Sequence, residues 1–188
     1  MFPNWITSEQ AGALERHLEL LERWNKTLNL TRITDRAEAI ERHYNEALFV
    51  ARHLPPGALR IVDIGSGAGF PGLPIAIVRP ECSVSLIESH QRKAVFLREA
   101  SRDLRNVKIL PIRAEACTER FDWAVSRAVA YADLEKCLVK LADQAALLTG
   151  AEEPPTSLGF QWEPAIGLPG SIKRFLRKSV SRETLSRA

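Results

Sequence analysis

Cysteine is scarce in this chain. The 188 residues include three cysteines, Cys82, Cys117 and Cys137, which are widely spaced and form no C-x-x-C pair. An odd number of separated thiols argues against a disulfide framework and against a zinc site. We therefore expect reduced, packed thiols and no bound metal.

Long apolar runs are missing as well. No apolar stretch is long enough to span a bilayer without interruption by charge, glycine or proline. The first ten residues lack the basic start and apolar core of a secretion signal. These absences predict a cytoplasmic chain with no membrane partner. The length and the 45% hydrophobic content suit one globular domain with a modest appendage.

Positive charge is unevenly distributed, although the net charge is only +3. Cations outnumber acids between residues 92 and 113, and in the tail from Lys173 to Arg187 the only acid is Glu183. Basic surfaces attract polyphosphates, because each neutralised phosphate releases condensed counterions. Charge alone leaves two interpretations open: a nucleic-acid partner, or a solvated helix face plus a soluble edge strand.

Two helices are predicted in the first part of the chain. Thr7 begins a capping box, and apolar positions at helical spacing continue to about Thr27. A second capping signal at Asp35 predicts another helix, which ends before Pro55. Residues 1–57 are therefore expected to form an N-terminal helical extension packed on the core.

From residue 58 onward, apolar runs alternate with helical patterns, a rhythm typical of a parallel sheet. The predicted strands are Arg60 to Ile64, Val84 to Ile87, Val107 to Ile112, Phe121 to Val125 and Ala145 to Leu148. After Gly150 the order changes, because residues 160–166 and 171–180 are joined only by a turn. We predict an α/β core over residues 58–188, closed by an antiparallel hairpin and forming a single structural unit with the extension.

A glycine-rich turn follows the first predicted strand, where Gly65, Gly67 and Gly69 form a G-x-G-x-G pattern. Glycines at such a turn let backbone N–H groups approach an anionic or nucleotide-like ligand. Phe70 stands where the dinucleotide pattern G-x-G-x-x-G needs its last glycine, which counts against NAD. Glu88 ends the next strand, where a carboxylate suits the two hydroxyls of a ribose. The alternative is an ordinary tight turn between a strand and a helix.

Four segments together make the pattern specific. They are Trp24 to Thr31, the glycine loop through Pro74, Arg113-Ala114-Glu115, and Phe121 to Ala130 with Ser126-Arg127-Ala128 at its centre. With them, the chain resembles the bacterial small-subunit ribosomal RNA guanine-N7 methyltransferases, the glucose-inhibited division protein B family, across nearly its whole length. The turn Leu168-Pro169-Gly170-Ser171 is a weaker match. The resemblance implies the Rossmann-like fold of class I S-adenosylmethionine methyltransferases, a seven-stranded, mostly parallel sheet closed by an antiparallel hairpin.

The resemblance also implies a cofactor site. In similar enzymes S-adenosylmethionine is held by the first glycine and by the apolar residue five positions later, here Gly65 and Phe70. Ala114 and Glu115 are implied to meet the adenine. Arg127 is implied to orient an anion, the cofactor carboxylate in preference to an RNA phosphate. The predicted site is completed by three residues of the glycine pattern and the next strand end, Gly67, Gly69 and Glu88.

The implied reaction is methyl transfer to N7 of a guanine in small-subunit ribosomal RNA near the decoding centre, with the RNA or the ribosomal subunit as partner. Guanine N7 has an available lone pair, so no catalytic base is needed and positioning of the reacting atoms is expected to supply the rate. No catalytic residue is therefore predicted, and a monomer is expected. Two alternatives stay open, a methyltransferase of small metabolites and an RNA-binding factor without turnover. An NAD-linked oxidoreductase is disfavoured by Phe70.

Three features depart from the family pattern or stay ambiguous. His43 and Glu46 share a predicted helix face, where similar proteins more often have Asp at the second position. A half-buried histidine next to its partner and a role in the site are equally compatible with that spacing. Thr149 stands where similar proteins usually have lysine, and the segment 151–158 is shorter than in those proteins. We therefore expect the contacts with the substrate to differ there.

Overall fold

The N-terminal helices form as predicted, with one addition. The computed structural model describes residues 2–180. Helix α1 spans Ser8–Leu28, and its N-cap Thr7 forms the predicted capping box with Gln10. The second predicted helix is continuous in space but changes its winding, with α2 over Arg36–Ala39, a π-helical segment over Ile40–Asn45 and α3 over Glu46–His53. Asp35 caps its start. A π-helical segment was not expected, because the apolar spacing alone does not report the winding.

The sheet has seven strands in the order β3-β2-β1-β4-β5-β7-β6. Strands β1 to β5 are mutually parallel, whereas β7 runs antiparallel to both β5 and β6. The predicted mostly parallel sheet with a closing hairpin is confirmed. The strands are β1 Arg60–Ile64, β2 Ser83–Ile87, β3 Val107–Leu110, β4 Phe121–Arg127, β5 Ala142–Thr149, β6 Ile166–Gly167 and β7 Phe175–Lys178.

The closing hairpin is shorter than predicted. Its strands are limited to Ile166–Gly167 and Phe175–Lys178. Trp162, further from the turn, makes an isolated bridge to Ser179. Pro164 interrupts the first of these segments, because proline has no N–H to contribute to a ladder. The tail cations Arg182 and Arg187, with Glu183, lie outside the described residues.

The core consists of one apolar cluster on each face of the sheet, because successive strand residues point to opposite faces. Ile61 belongs to the cluster under α1, α3, α4 (Gly72–Val78) and α5 (Gln91–Ala100), and this cluster includes Leu14 and Leu18 of the extension. Val62 belongs to the other, which packs against α6 (Tyr131–Leu134) and α7 (Leu138–Leu141). The N-terminal helices therefore cover one face of the sheet.

Within residues 2–180, no helix is both long and apolar enough to cross a membrane. The three cysteines are free and buried. Over the same residues, no cluster of three or more histidine, cysteine, aspartate or glutamate side chains is arranged to hold a metal ion.

Replacement of Gly72 with alanine tests how closely the first residue of α4 packs against β1 and β2. An added Cβ would lie 2.7 Å from Asp63 Oδ2 and 2.9 Å from Asp63 Cβ, and closer still to Leu86. We expect Gly72→Ala to lower the free energy of unfolding by about 1–3 kcal/mol, measured by denaturant titration. Gly150→Ala is the matched control, because an added Cβ there meets nothing within 4 Å. Equal stability of the two variants would contradict the close packing.

Candidate functional site

The glycine loop at the carboxyl end of β1 has a backbone that needs glycine. Gly65, Gly67 and Gly69 have φ angles of 72°, 55° and 90°, in the left-handed region that L side chains rarely adopt. A Cβ at Gly65 would also lie 2.6 Å from Val129 Cγ2. The loop is tied to the next strand, because the N–H groups of Gly65 and Ser66 both donate to Ile87 O at 3.0 Å.

Asp63 fixes the other end of the loop. Its fully buried carboxyl accepts a hydrogen bond from Gly72 N at Oδ2, at 2.9 Å, while Oδ1 has no partner among the residues described. Burial raises the pKa of Asp63 to about 7, against the opposing hydrogen bond from Gly72. The acid before the glycines is thus a support for the loop rather than a group open to a ligand.

Glu88 lies between the glycine loop and the start of α5. Its Oε2 accepts from Gly67 N at 2.9 Å and its Oε1 accepts from His90 N at 2.8 Å. Each carboxylate oxygen has two lone pairs, so both oxygens can accept one further hydrogen bond. Two backbone donors therefore hold this carboxylate in a fixed orientation at the end of β2.

A cavity of about 140 Å³ opens next to this carboxylate. It lies at the carboxyl ends of β1, β2 and β4, where ligands bind in open α/β sheets. Its lining contains four of the residues predicted from the sequence, Gly65, Glu88, Ala114 and Glu115. The other lining residues are Ile64, Ile87, Ser89, Ile112, Arg113, Val129, Asp133 and Cys137.

A larger cavity, of about 670 Å³, is a less suitable site. It lies between α1 and the end of α5. Its rim alternates in charge, with Arg16, Arg23, Lys26 and Arg102 among Glu19, Glu22, Glu99 and Asp103. Such paired charges at the surface are typical of solvated helices.

Phe70 and Arg127 lie outside the 140 Å³ cavity. Phe70 is 6% exposed and packs against His43, with ring centroids 4.8 Å apart and planes at 28°. The Arg127 guanidinium lies 5.9 Å from the centre of the same ring. The sequence motifs did not reveal this separation, because they say which strand end a residue follows but not which side of the loop its side chain takes.

Arg127 belongs to a buried polar network that joins three distant segments. It donates to Arg42 O at 2.9 Å, and one of its nitrogens lies 2.5 Å from His43 Nδ1. Glu46 Oε2 lies 3.7 Å from Arg127 and 2.9 Å from a nitrogen of Arg174. The network therefore links the π-helical segment, the end of β4 and the start of β7.

The protonation states in this network follow from burial and from the three arginines. Burial, and then the charges of Arg127 and Arg174, lower the pKa of His43 to about 3. Neutral His43 accepts from Arg127 at Nδ1 and donates from Nε2 to Thr31 Oγ1, at 2.8 Å. Burial lowers the pKa of Arg127 to about 10, so it stays protonated at neutral pH. Burial also raises the pKa of Glu46, against the opposing charge of Arg174.

His17 supports the glycine loop, and sequence reasoning missed it. Its Nε2 lies 3.1 Å from Ala68 O, and its Nδ1 lies 2.9 Å from the hydroxyl of Tyr44. Neutral histidine satisfies both groups, donating to the carbonyl and accepting from the tyrosine. The available signal was a polar residue next to Leu18 on the apolar face of the first helix.

A pH titration of stability tests this neutral histidine. Burial lowers the pKa of His17 to about 4 from 6.5. Since the unfolded chain then binds the extra proton first, the stability that neutral His17 contributes is present above pH 6.5 and is lost as the pH falls toward 4. We expect the stability advantage of wild type over His17→Gln to shrink by about 3 kcal/mol between pH 7 and pH 4. An advantage independent of pH, measured by denaturant titration, would contradict the assignment.

One family of known proteins matches most of this chain. Residues 10–149 match the family model described as rRNA small subunit methyltransferase G. A protein named ribosomal RNA small subunit methyltransferase G from Xanthomonas axonopodis pv. citri is 44% identical over 123 residues, which cover 63% of this chain and 57% of that protein. One of the same name from Chromobacterium violaceum is 39% identical over 127 residues, covering 65% and 60%. The chain thus spans less than two thirds of the length of these relatives.

Solved structures share the fold at low sequence identity. A SAM dependent methyltransferase from Aquifex aeolicus has a TM-score of 0.61 and 14% identity, covering 80% of this chain and 96% of that one. Aeropyrum pernix fibrillarin, solved with bound S-adenosyl-L-methionine, has a TM-score of 0.59 and 15% identity, covering 73% and 76%. The fold is that of these methyltransferases, and the match over residues 10–149 shows that the chain belongs to the family of rRNA small subunit methyltransferase G.

Proposed function

We propose that this chain is an S-adenosylmethionine-dependent methyltransferase that modifies N7 of a guanine in small-subunit ribosomal RNA near the decoding centre. The observation that carries the proposal is the orientation of Glu88, fixed by Gly67 N and His90 N at the rim of a cavity beside the glycine loop. The family to which the chain belongs and the names of its relatives support this reaction and an RNA substrate.

The groups that line the cavity suit the nucleoside part of the cofactor. Glu88 has lone pairs left for two ribose hydroxyls, and Gly65 leaves the loop without a side chain on the ligand side. Ala114 and Glu115 follow β3 in a short 3-10 helix and line the same cavity. We assign these four residues to the adenosine, with Gly67 and Gly69 shaping the loop.

Phe70 and Arg127 flank the loop on its other side. Protonated Arg127 has five N–H donors, and the contacts to Arg42 O and His43 Nδ1 use two of them. The remaining donors and the positive charge suit the cofactor carboxylate. Phe70, stacked on His43, holds the guanidinium next to the loop.

Methyl transfer to guanine N7 needs no proton transfer by the protein, because the N7 lone pair is available to attack the methyl group. When bound, S-adenosylmethionine supplies an electrophilic methyl group. Cys137 is the one thiol lining the cavity, and burial raises its pKa to about 11, so it stays protonated at neutral pH and is unsuited to covalent catalysis on a pyrimidine ring. Holding the reacting atoms in line contributes up to about 7–11 kcal/mol. We therefore propose no catalytic side chain.

The basic surface of α5 suits an RNA partner. Arg92 and Lys93 lie in the first turn of this helix, directly after β2 and therefore near the cavity. Within the described part of the chain, no ion pair involves them or Arg98. These cations are available to phosphates, and their contribution should weaken with added salt. A small-metabolite substrate, the main alternative, would show no such salt dependence.

The first experiment is incubation with methyl-labelled S-adenosylmethionine and small ribosomal subunits or their RNA. Label is then mapped by borohydride and aniline cleavage, which cuts the strand at N7-methylguanine. We expect cleavage at a single guanine. Label in RNA without that cleavage would contradict N7 as the acceptor. Tight cofactor binding with no label on any form of the RNA would favour a small metabolite or an RNA-binding factor without turnover.

Glu88→Gln tests the assignment of the ribose. Gln keeps the size of the side chain, but its NH2 group cannot accept from Gly67 N or His90 N and its oxygen is a neutral acceptor, whereas hydrogen bonds to charged groups contribute about 1.5–3 kcal/mol. We expect the dissociation constant for S-adenosylmethionine, measured by calorimetry, to rise by about 10-fold or more. Asp103→Asn is the control, because Asp103 is an exposed acid far from the cavity, with 76% of its side chain accessible. Unchanged affinity in folded Glu88→Gln would remove Glu88 from the site.

A further inference from the structure

The turn between β6 and β7, residues 168–174, lies at the same edge of the sheet as the proposed active site. We call it the hairpin turn. Phe175, at the start of β7, pairs with Thr149 at the end of β5, and Leu148 pairs in turn with Arg127 at the end of β4. The hairpin turn therefore projects from the edge where the glycine loop and the cavity lie.

Three contacts fix the hairpin turn. Leu168 is 3% exposed, and its N–H donates to Arg174 O at 2.9 Å. Arg174 forms the 2.9 Å ion pair with buried Glu46. Gly170 lies so close to Glu41 that an added Cβ would be 3.4 Å from Glu41 Cδ and nearer to its carboxylate. The base of the turn is thus held on the helix that carries His43.

The tip of the turn is in contrast unusually exposed. Among residues 2–180, Ile172 is 92% exposed, whereas the other exposed large apolar residues are Trp5 at 40%, Val139 at 42% and Val95 at 47%. Lys173 next to it is also exposed. A side chain of this kind contributes about 1.5–3 kcal/mol of stabilisation when it is fully buried, and an exposed one does not. Ile172 therefore contributes little to the stability of the fold, and its apolar surface is free for a partner.

We propose that Ile172 and Lys173 contact the RNA substrate, an inference that rests on the proposed function. A nucleotide offers a phosphate next to the apolar face of a base, and this pairing suits a cation beside an apolar side chain. Arg127 and Arg174 share buried Glu46, Arg42 pairs with Glu38, and the Glu41 carboxylate lies next to Gly170, so exposed Lys173 is the cation that the turn presents to a phosphate. Lys173 would neutralise a phosphate and Ile172 would pack on an unstacked base or its ribose.

Binding of protein-free small-subunit ribosomal RNA over a salt series tests the contact. Lys173→Gln should reduce the slope of log affinity against log salt by about 0.7–0.9, the value for one lost phosphate contact. Ile172→Ser should lower affinity by about 5-fold, equivalent to roughly 1 kcal/mol, and leave the slope unchanged. Both variants should unfold like wild type and bind S-adenosylmethionine with unchanged affinity.

Two controls match these variants. Val139→Ser removes an exposed apolar side chain from α7, and Arg60→Gln removes an exposed cation from the start of β1, at the opposite edge of the sheet. We expect both controls to bind RNA within about 2-fold of wild type. A loss as large in the controls as in the turn variants would overturn the assignment, because it would reflect net charge or general surface chemistry.

Different outcomes test the RNA contact at the hairpin turn and the proposed methyltransferase function. If wild type binds and methylates RNA and the turn variants match it, the contact at the turn is refuted and the proposed function stands. If the variants bind free RNA normally but lose activity on whole subunits only, the partner of the turn is protein and the inference is wrong. If wild type itself neither binds nor methylates RNA, the proposed function and the inference fall together.

Discussion

The hydrogen bond from Gly72 N to the buried carboxyl of Asp63 is the constraint on which the site depends. It joins the last residues of β1 to the first turn of α4, so the chain between them must form a short loop over the end of the sheet. Three positions on that path favour glycine, since Gly65, Gly67 and Gly69 take left-handed angles. The loop in turn gives Glu88 its donor, Gly67 N, and so orients the carboxylate beside the cavity.

Side chains of the N-terminal helices contact the glycine loop. His17 of α1 and Tyr44 of the π-helical segment meet at Ala68, and Phe70 packs between His17 and His43. The hairpin turn then joins the same helix through Glu46 and Arg174. Segments from both ends of the described chain thus converge on one face of the loop, while the cavity occupies the other. This division explains why Phe70 and Arg127 do not line the cavity.

Sequence reasoning recovered what local chemistry determines. The glycine pattern predicted the loop, and the alternation of apolar runs predicted the parallel strands and the antiparallel closure. Gly65, Glu88, Ala114 and Glu115 line one cavity, because residues after neighbouring parallel strands meet at one edge, and their role in binding the cofactor stays a prediction. Sequence reasoning could not place Phe70 and Arg127, since their side chains are oriented by packing against a helix more than 20 residues earlier. His17 escaped notice for the same reason, because its partner Ala68 is distant in the sequence.

Two buried titratable groups hold the loop from opposite sides, and their effects on stability oppose each other. Asp63 has its pKa raised to about 7 by burial, so its contribution is present at low pH and declines as the pH rises from 3.8 toward 7. His17 has its pKa lowered to about 4, so its contribution declines as the pH falls from 6.5 toward 4. Over the shared range the proton bound by folded Asp63 offsets the proton that folded His17 excludes. The contributions of Asp63 and His17 to the pH dependence of stability therefore have opposite signs and offset each other between about pH 4 and pH 6.5.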